Sequence, residues 1–183
     1  MQPQLAYLAR PDLPRPSCRV MLVCGPPAAG KSTYVKARAS RDDIVIDLDL
    51  IAREHGWGRS RPASELAVLL TDRNGRLAAL ANEPPERVAW VILGAPAPSL
   101  RQWWAEALGV QPDNVIVFAP SRQELYRRIR SDPDRRHVQQ LHFALVDKWL
   151  ARERADNPGI SRGGCGPDGY PTDTLHPWRR NSA

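Results

Sequence analysis

Val20-Met21-Leu22-Val23-Cys24-Gly25-Pro26-Pro27-Ala28-Ala29-Gly30-Lys31-Ser32-Thr33 joins an apolar run directly to the pattern G-x-x-x-x-G-K-S. The apolar run reads as a buried parallel strand, and Lys31 to Ser40 reads as the helix that follows. Between them, Gly25 and Gly30 let the backbone turn tightly enough for successive N–H groups to face one phosphate. The stretch is a phosphate-binding P-loop. Gly25, Pro26, Pro27, Ala28, Ala29, Gly30, Lys31, Ser32 and Thr33 are therefore the candidate nucleotide-binding residues. Lys31 is expected to neutralise the β- and γ-phosphate oxygens of ATP, and the Ser32 hydroxyl to ligate the Mg²⁺ that bridges them.

The remaining strands are read outward from this one. Asp43-Ile44-Val45-Ile46-Asp47-Leu48-Asp49 is a short β-branched strand that runs into two aspartates. In a doubly wound sheet the carboxyl ends of the strands open onto one crevice, which would bring Asp47 and Asp49 towards the phosphates. A carboxylate there can hold Mg²⁺ through water or accept the proton of an attacking hydroxyl. The plainer alternative is that Asp47 caps the next helix and Asp49 is solvated. Arg53, four residues beyond Asp49, would share its helix face. Val88 to Leu93 is a continuous apolar run of the kind found in central parallel strands, and it ends in Gly94-Ala95-Pro96 with no acid. Motor ATPases carry a metal-holding aspartate at such a strand end, so this ending weighs against that class. With strands near 19–24, 43–47, 88–93 and 114–118, the fold class is α/β: a three-layer α/β/α P-loop NTPase, kinase-like, with a mainly parallel sheet.

Around that frame, residues 1–17 read as a proline-rich N-terminal arm, 18–154 as the P-loop domain, and 155–183 as a tail with five glycines and four prolines. Residues 54–87 form a helical excursion. Its segment Gly56 to Pro62 is either a mobile loop that closes on substrate or a surface loop with one buried tryptophan, Trp57. Leu100 to Leu108 is a helix capped by Ser99, with Trp103 and Trp104 as half-buried core. Ser121-Arg122-Gln123-Glu124 is a capping box for the next helix, and residues 122–137 read as a lid able to bring arginines to the nucleotide. Val138, Leu141, Leu145 and Trp149 are the expected buried stripe of the last helix.

The net charge is +6, and of 26 basic residues only Lys31, Lys36 and Lys148 are lysines. Guanidinium forks match phosphate oxygens, so nucleic acid is one candidate partner, through the arginine-rich lid; a GC-rich genome is the plain alternative. Three cysteines without C-x-x-C spacing indicate neither a disulfide framework nor a zinc site, and a reducing cytoplasm fits them best. The apolar patch Leu5 to Ala9 is far shorter than a signal-peptide core, and no membrane partner is expected. The oligomeric state stays open.

With these residues in place, 18–152 resembles the P-loop kinase domain of phage polynucleotide 5′-hydroxyl kinases. The resemblance implies ATP and Mg²⁺ as cofactors and transfer of the γ-phosphoryl group to a polynucleotide 5′ end. It makes Asp49 the general base and leaves Asp47, with Ser32, for the metal. One of Arg127, Arg128 and Arg130 would touch the donor phosphates. Arg130 then joins Lys31 and Asp49 in the catalytic set, while Arg127 and Arg128 join the nucleotide-binding set. Where that family has an aspartate after the third strand, this chain has Gly94 and Ala95. The Asp47-x-Asp49 pair also looks like the D-x-D of shikimate kinases, which implies a small-molecule acceptor. The chain is similar, too, to small AAA-type ATP-binding proteins of phage genomes, which implies nucleotide binding; a non-kinase ATPase or nucleotide switch is the competing class.

Overall fold

The computed structural model describes residues 11–58 and 62–156. Residues 1–10 of the arm, Arg59, Ser60 and Arg61 of the excursion, and 157–183 of the tail lie outside the described residues.

Four short strands make one sheet: β1 (Arg19–Cys24), β2 (Ile44–Asp47), β3 (Val88–Leu93) and β4 (Val115–Val117). All neighbours run parallel, in the order β2-β3-β1-β4. Period-2 alternation splits the apolar side chains between two faces. Val20, Leu22, Ala89, Val91 and Leu93 join one core; Val23, Trp90, Ile92 and Ile116 join the other. Burial on both faces is why these strands read as unbroken apolar runs.

Among the described residues six α-helices cover the two faces: α1 (Lys31–Lys36), α2 (Leu48–Glu54), α3 (Ala63–Ala79), α4 (Pro98–Ala107), α5 (Arg122–Ser131) and α6 (Gln139–Asp156). Ile51, Leu69, Leu77 and Trp104 place α2, α3 and α4 on the first core, whereas Val35, Leu125, Ile129, Val146 and Trp149 place α1, α5 and α6 on the second. This is the expected α/β/α layering. The helices that follow the adjacent strands β1 and β3 thus leave to opposite faces, which opens a crevice at the carboxyl ends of those strands.

Several local expectations are corrected. The first helix stops at Lys36 instead of Ser40, because the Asp43 carboxylate takes the Ser40 N–H (3.1 Å) and hydroxyl (2.7 Å) and turns the chain. Ser99 is not the cap of α4: Ala97 holds the N-cap position and Pro98, whose φ suits a first helical turn, starts the helix. The capping box is half formed. Ser121 accepts from the Glu124 N–H (3.2 Å), but the Glu124 carboxylate is taken by Arg127 and Arg128.

The buried face of α6 is rotated from the expected one. Leu141 and Leu145 are 48% and 41% exposed, while His142, Val146, Trp149 and Leu150 are buried. Trp149 Nε1 donates to the Gly94 carbonyl at 2.6 Å, and Glu153 meets Arg101 at 2.8 Å. Those two anchors fix the helix phase, and 142, 146, 149 and 153 then fall on one face. The described part of the arm packs on the domain: Leu13 joins the first core, and Ser17 donates through N (3.0 Å) and Oγ (3.1 Å) to the Leu80 carbonyl. Trp57 also packs against the first core and stacks on His55 at 4.8 Å.

The phase of α6 is tested by truncation. Leu150→Ala should cost about 2–5 kcal/mol in urea unfolding, whereas Leu141→Ala should stay within about 0.5 kcal/mol.

Candidate functional site

The loop leaves β1 through Gly25 at φ 152°, where an added Cβ would lie 2.7 Å from the Phe118 carbonyl oxygen and 3.0 Å from the Phe118 Cβ. Only glycine fits so close to the residue that follows β4. Ala28 (φ 61°) and Gly30 (φ 99°) then adopt left-handed backbone on either side of Ala29. Alternating handedness of this kind forms a concave nest of N–H groups, the geometry that accepts an anion.

Lys31 folds back into the loop. Its Nζ donates to the carbonyls of Gly25 and Pro26, each at 2.8 Å. Enclosure of the ammonium pushes its pKa down from 10.5 to about 8, an effect opposed by the negative charges of Asp47 and Asp49 and reinforced by Arg135.

β2 ends on Asp47, which is buried. One carboxylate oxygen accepts from the Ser32 hydroxyl at 2.8 Å, and the other caps α2 by accepting from the Asp49 N–H at 3.0 Å. Asp47 is thus the helix cap of the plainer alternative and, through its other oxygen, a partner of the loop serine. Asp49 stands half-buried in the first turn of α2, and Arg53 Nε donates to the Asp49 carbonyl at 3.2 Å. An ionic network holds α2 to the excursion helix. Arg76 bridges Glu54 (2.5 Å) and Asp72 (2.7 Å), and Asp72 also meets His55 at 2.9 Å. Arg76 first, then His55, hold the Asp72 carboxyl below its ordinary range.

Of the three lid arginines left open by spacing, Arg128 reaches the loop. Its Nη1 donates to the carbonyls of Ala29 (3.2 Å) and Ala28 (3.5 Å), while its Nε is held by Glu124 at 2.6 Å. Arg127 is two-thirds exposed and chelated by the Glu124 carboxylate. Arg130 lies over the rings of Tyr126 (5.7 Å) and Phe143 (5.4 Å). The two guanidinium groups depress the Glu124 carboxyl to about 2.

Arg135 falls within the 122–137 lid but is not among the arginines that the sequence singles out for the phosphates. In the structure Asp132 fixes its Nε at 2.7 Å, His142 Nδ1 stands 3.1 Å from its Nη1, and its charge acts on Lys31. The signal lay in the spacing: Asp132-Pro133 starts a 3-10 turn, Pro133–Val138, that presents Arg135 to the buried His142 of α6.

A family profile described as an AAA domain matches residues 20–155. The chain belongs to this family of P-loop NTPases. No curated protein matches the chain. An AAA domain of this type is a nucleotide-binding fold, and the residues present fit ATP with Mg²⁺: a nest and an ammonium for the phosphates, and the Ser32–Asp47 pair for the metal. Among the described residues no group of three His, Cys, Asp or Glu side chains could hold a metal alone. Mg²⁺ in such sites binds through one or two protein oxygens plus substrate phosphates and water. Among the same residues no helix is long and apolar enough to cross a membrane. Cys24, at the foot of the loop, is fully buried, which pushes its thiol up to about 12 and removes it as a nucleophile.

The Lys31 ammonium supplies a pH test. Its folded pKa lies below the ordinary value, so between about 8 and 10.5 the unfolded chain binds more protons and stability rises with pH. Phosphate binding favours the charged form and so runs the other way. ATP affinity should fall as pH rises through 8, and calorimetry in buffers of different ionisation enthalpy should record proton uptake on binding near that pH. Lys31→Ala should abolish both the affinity and the proton uptake with the fold intact.

Proposed function

We propose that this AAA domain is an ATP-dependent kinase that transfers the γ-phosphoryl group to a hydroxyl, with a polynucleotide 5′ end as the acceptor. The observation that carries the kinase reading is the Asp47 carboxylate, bonded at once to the hydroxyl of the loop serine (2.8 Å) and to the Asp49 N–H (3.0 Å), which sets the two aspartates beside the P-loop. Phosphoryl transfer asks for little covalent chemistry from the protein; it asks for positioning and for charge neutralisation. The loop amides and Lys31 would hold the β- and γ-phosphates. Ser32 and Asp47 would hold Mg²⁺, which supplies neutralisation of the phosphate oxygens. Asp49, not engaged at the serine, would accept the proton of the acceptor hydroxyl. Arg128, with Arg135 of the same lid, would offset charge on the transferring group in the way an arginine finger does.

The polynucleotide acceptor is supported by the net charge of +6 and by the family resemblance of residues 18–152. A specific observation favours a small-molecule acceptor as the second reading. Arg122 is paired with Asp147, Arg127 and Arg128 with Glu124, and Arg135 with Asp132, so much of the lid charge is answered within the protein. Transfer from labelled ATP to oligonucleotides, nucleosides and small polyols separates the two. If the acceptor is a polynucleotide, its affinity should fall steeply from about 50 to 200 mM salt, because each neutralised phosphate releases counterion. Salt-insensitive affinity would remove nucleic acid.

The carboxylate roles are tested separately. Asp49→Asn should lower turnover by about 10²–10⁴ with ATP affinity little changed. Asp47→Asn should raise the Mg²⁺ concentration needed for half-maximal rate, and excess Mg²⁺ should restore part of the activity. Rescue of Asp49→Asn by Mg²⁺, or full transfer by that variant, would overturn the assignment.

A further inference from the structure

We propose that the ion pair between Arg101 and Glu153 is a positioning device for phosphoryl transfer, setting where Arg128 stands over the P-loop. The proposal rests on the reading of 122–137 as a lid on the nucleotide site. It concerns two residues that touch neither the loop nor the lid directly.

Arg101 is the largest fully buried side chain, at 1% exposure. It rises from α4, in one helical layer, and meets Glu153 of α6, in the other, at 2.8 Å. The two layers are thus tied together over the carboxyl end of β3. The same guanidinium donates to the carbonyls of Ala95 (3.0 Å) and Pro96 (3.2 Å), and Trp149, one turn before Glu153, donates to the carbonyl of Gly94. Ala95 is held at φ 30°, a backbone state that a non-glycine residue keeps only when its surroundings impose it. The C-terminal half of α6 is therefore fixed to the loop after β3, the strand beside β1.

The other half of α6 carries the lid. His142 contacts Arg135, the Phe143 ring packs on Tyr126 of α5 at 4.3 Å, and Asp147 binds both Arg122 (2.7 Å) and the Tyr126 hydroxyl (2.8 Å). From His142 to Glu153 the helix is one rigid rod of about 16 Å. Its far end is pinned beside the P-loop while its near end holds α5, whose Arg128 reaches the same loop. Both Arg101 and Glu153 act electrostatically on Cys24, the residue before Gly25, which puts the pin at the foot of the loop.

A buried ion pair is a poor way to gain stability, since desolvation cancels much of the attraction; its use is to impose one arrangement. Here Glu153 Oε2 is buried and accepts no hydrogen bond among the described residues, although Arg101 lies at contact distance. At 2.8 Å the two groups already stand at the length of a charge-assisted contact, so the pair holds α4 and α6 in one arrangement.

The experiment is a double-mutant cycle on ATP affinity, read alongside thermal melting. Its four proteins are the wild type, Arg128→Ala, the pair-less Arg101→Met/Glu153→Leu, and the combination. Apolar replacement of both charges is the change a core tolerates best. Arg128→Ala should weaken ATP binding by about tenfold in the wild-type background and by less than about twofold in the pair-less one. Glu153→Gln, which keeps size and removes charge, repeats the cycle if the pair-less protein does not fold. Equal losses in both backgrounds would overturn the proposal, because a pair that only supports the fold lowers the melting temperature without coupling to Arg128. Failure of the underlying lid reading looks different: Arg128→Ala then leaves wild-type ATP affinity unchanged, and the proposal falls with it.

Discussion

Gly25 and Phe118 approach so closely that no Cβ fits between them, and the functional crevice depends on that approach. β1 and β4 pair only through Leu22, Val23 and Cys24, and the Phe118 N–H continues the pairing to the Cys24 carbonyl at 2.8 Å. The loop must therefore leave β1 hard against the chain that leaves β4. Any side chain at Gly25 would push these apart, and with them the carbonyl to which Lys31 is bonded. Phe118 is itself wholly buried and packs edge-on against Tyr34 of α1 at 5.2 Å. The loop is thus wedged between strand and helix, and its nest of N–H groups is formed before any ligand arrives.

Around this fixed loop the charges are arranged to wait for an anion. Two carbonyl oxygens satisfy Lys31, two others satisfy Arg128, and Asp47 satisfies Ser32. Each of these contacts uses a group that phosphate or metal could take over. Preorganised dipoles and charges of this sort act strongly in a site shielded from water. Burial of the ammonium is what depresses the pKa of Lys31, against the opposing charges of Asp47 and Asp49.

The strands and the loop could be read from the sequence because their signals are local. Val88 to Leu93 is apolar throughout since both its faces are covered, and G-x-x-x-x-G-K-S fixes its own backbone shape. Asp47 was legible for a similar reason, as the last residue of a strand in a parallel sheet. The choice among Arg127, Arg128 and Arg130 was not, because it depends on which carboxylates lie nearby: Glu124 takes Arg127 outward while steadying Arg128, and two aromatic rings take Arg130. The phase of α6 was hidden as well. Leu141 and Leu145 carry the stronger apolar pattern, yet Trp149 and Glu153 turn the helix by reaching partners on β3 and α4, far away in the chain. Propensity and pattern speak for a segment; anchors between layers speak for the fold.

The measurement that bears most directly on this account is a crystal structure with Mg²⁺ and a non-hydrolysable ATP analogue. The account predicts that Lys31 Nζ leaves the Gly25 and Pro26 carbonyls for β- and γ-phosphate oxygens. It further predicts the metal on Ser32 with Asp47 behind a water, and Arg128 moved from the Ala28 and Ala29 carbonyls to phosphate. A nucleotide bound away from residues 25–33, or one bound there with Lys31 still on its two carbonyls, would contradict it.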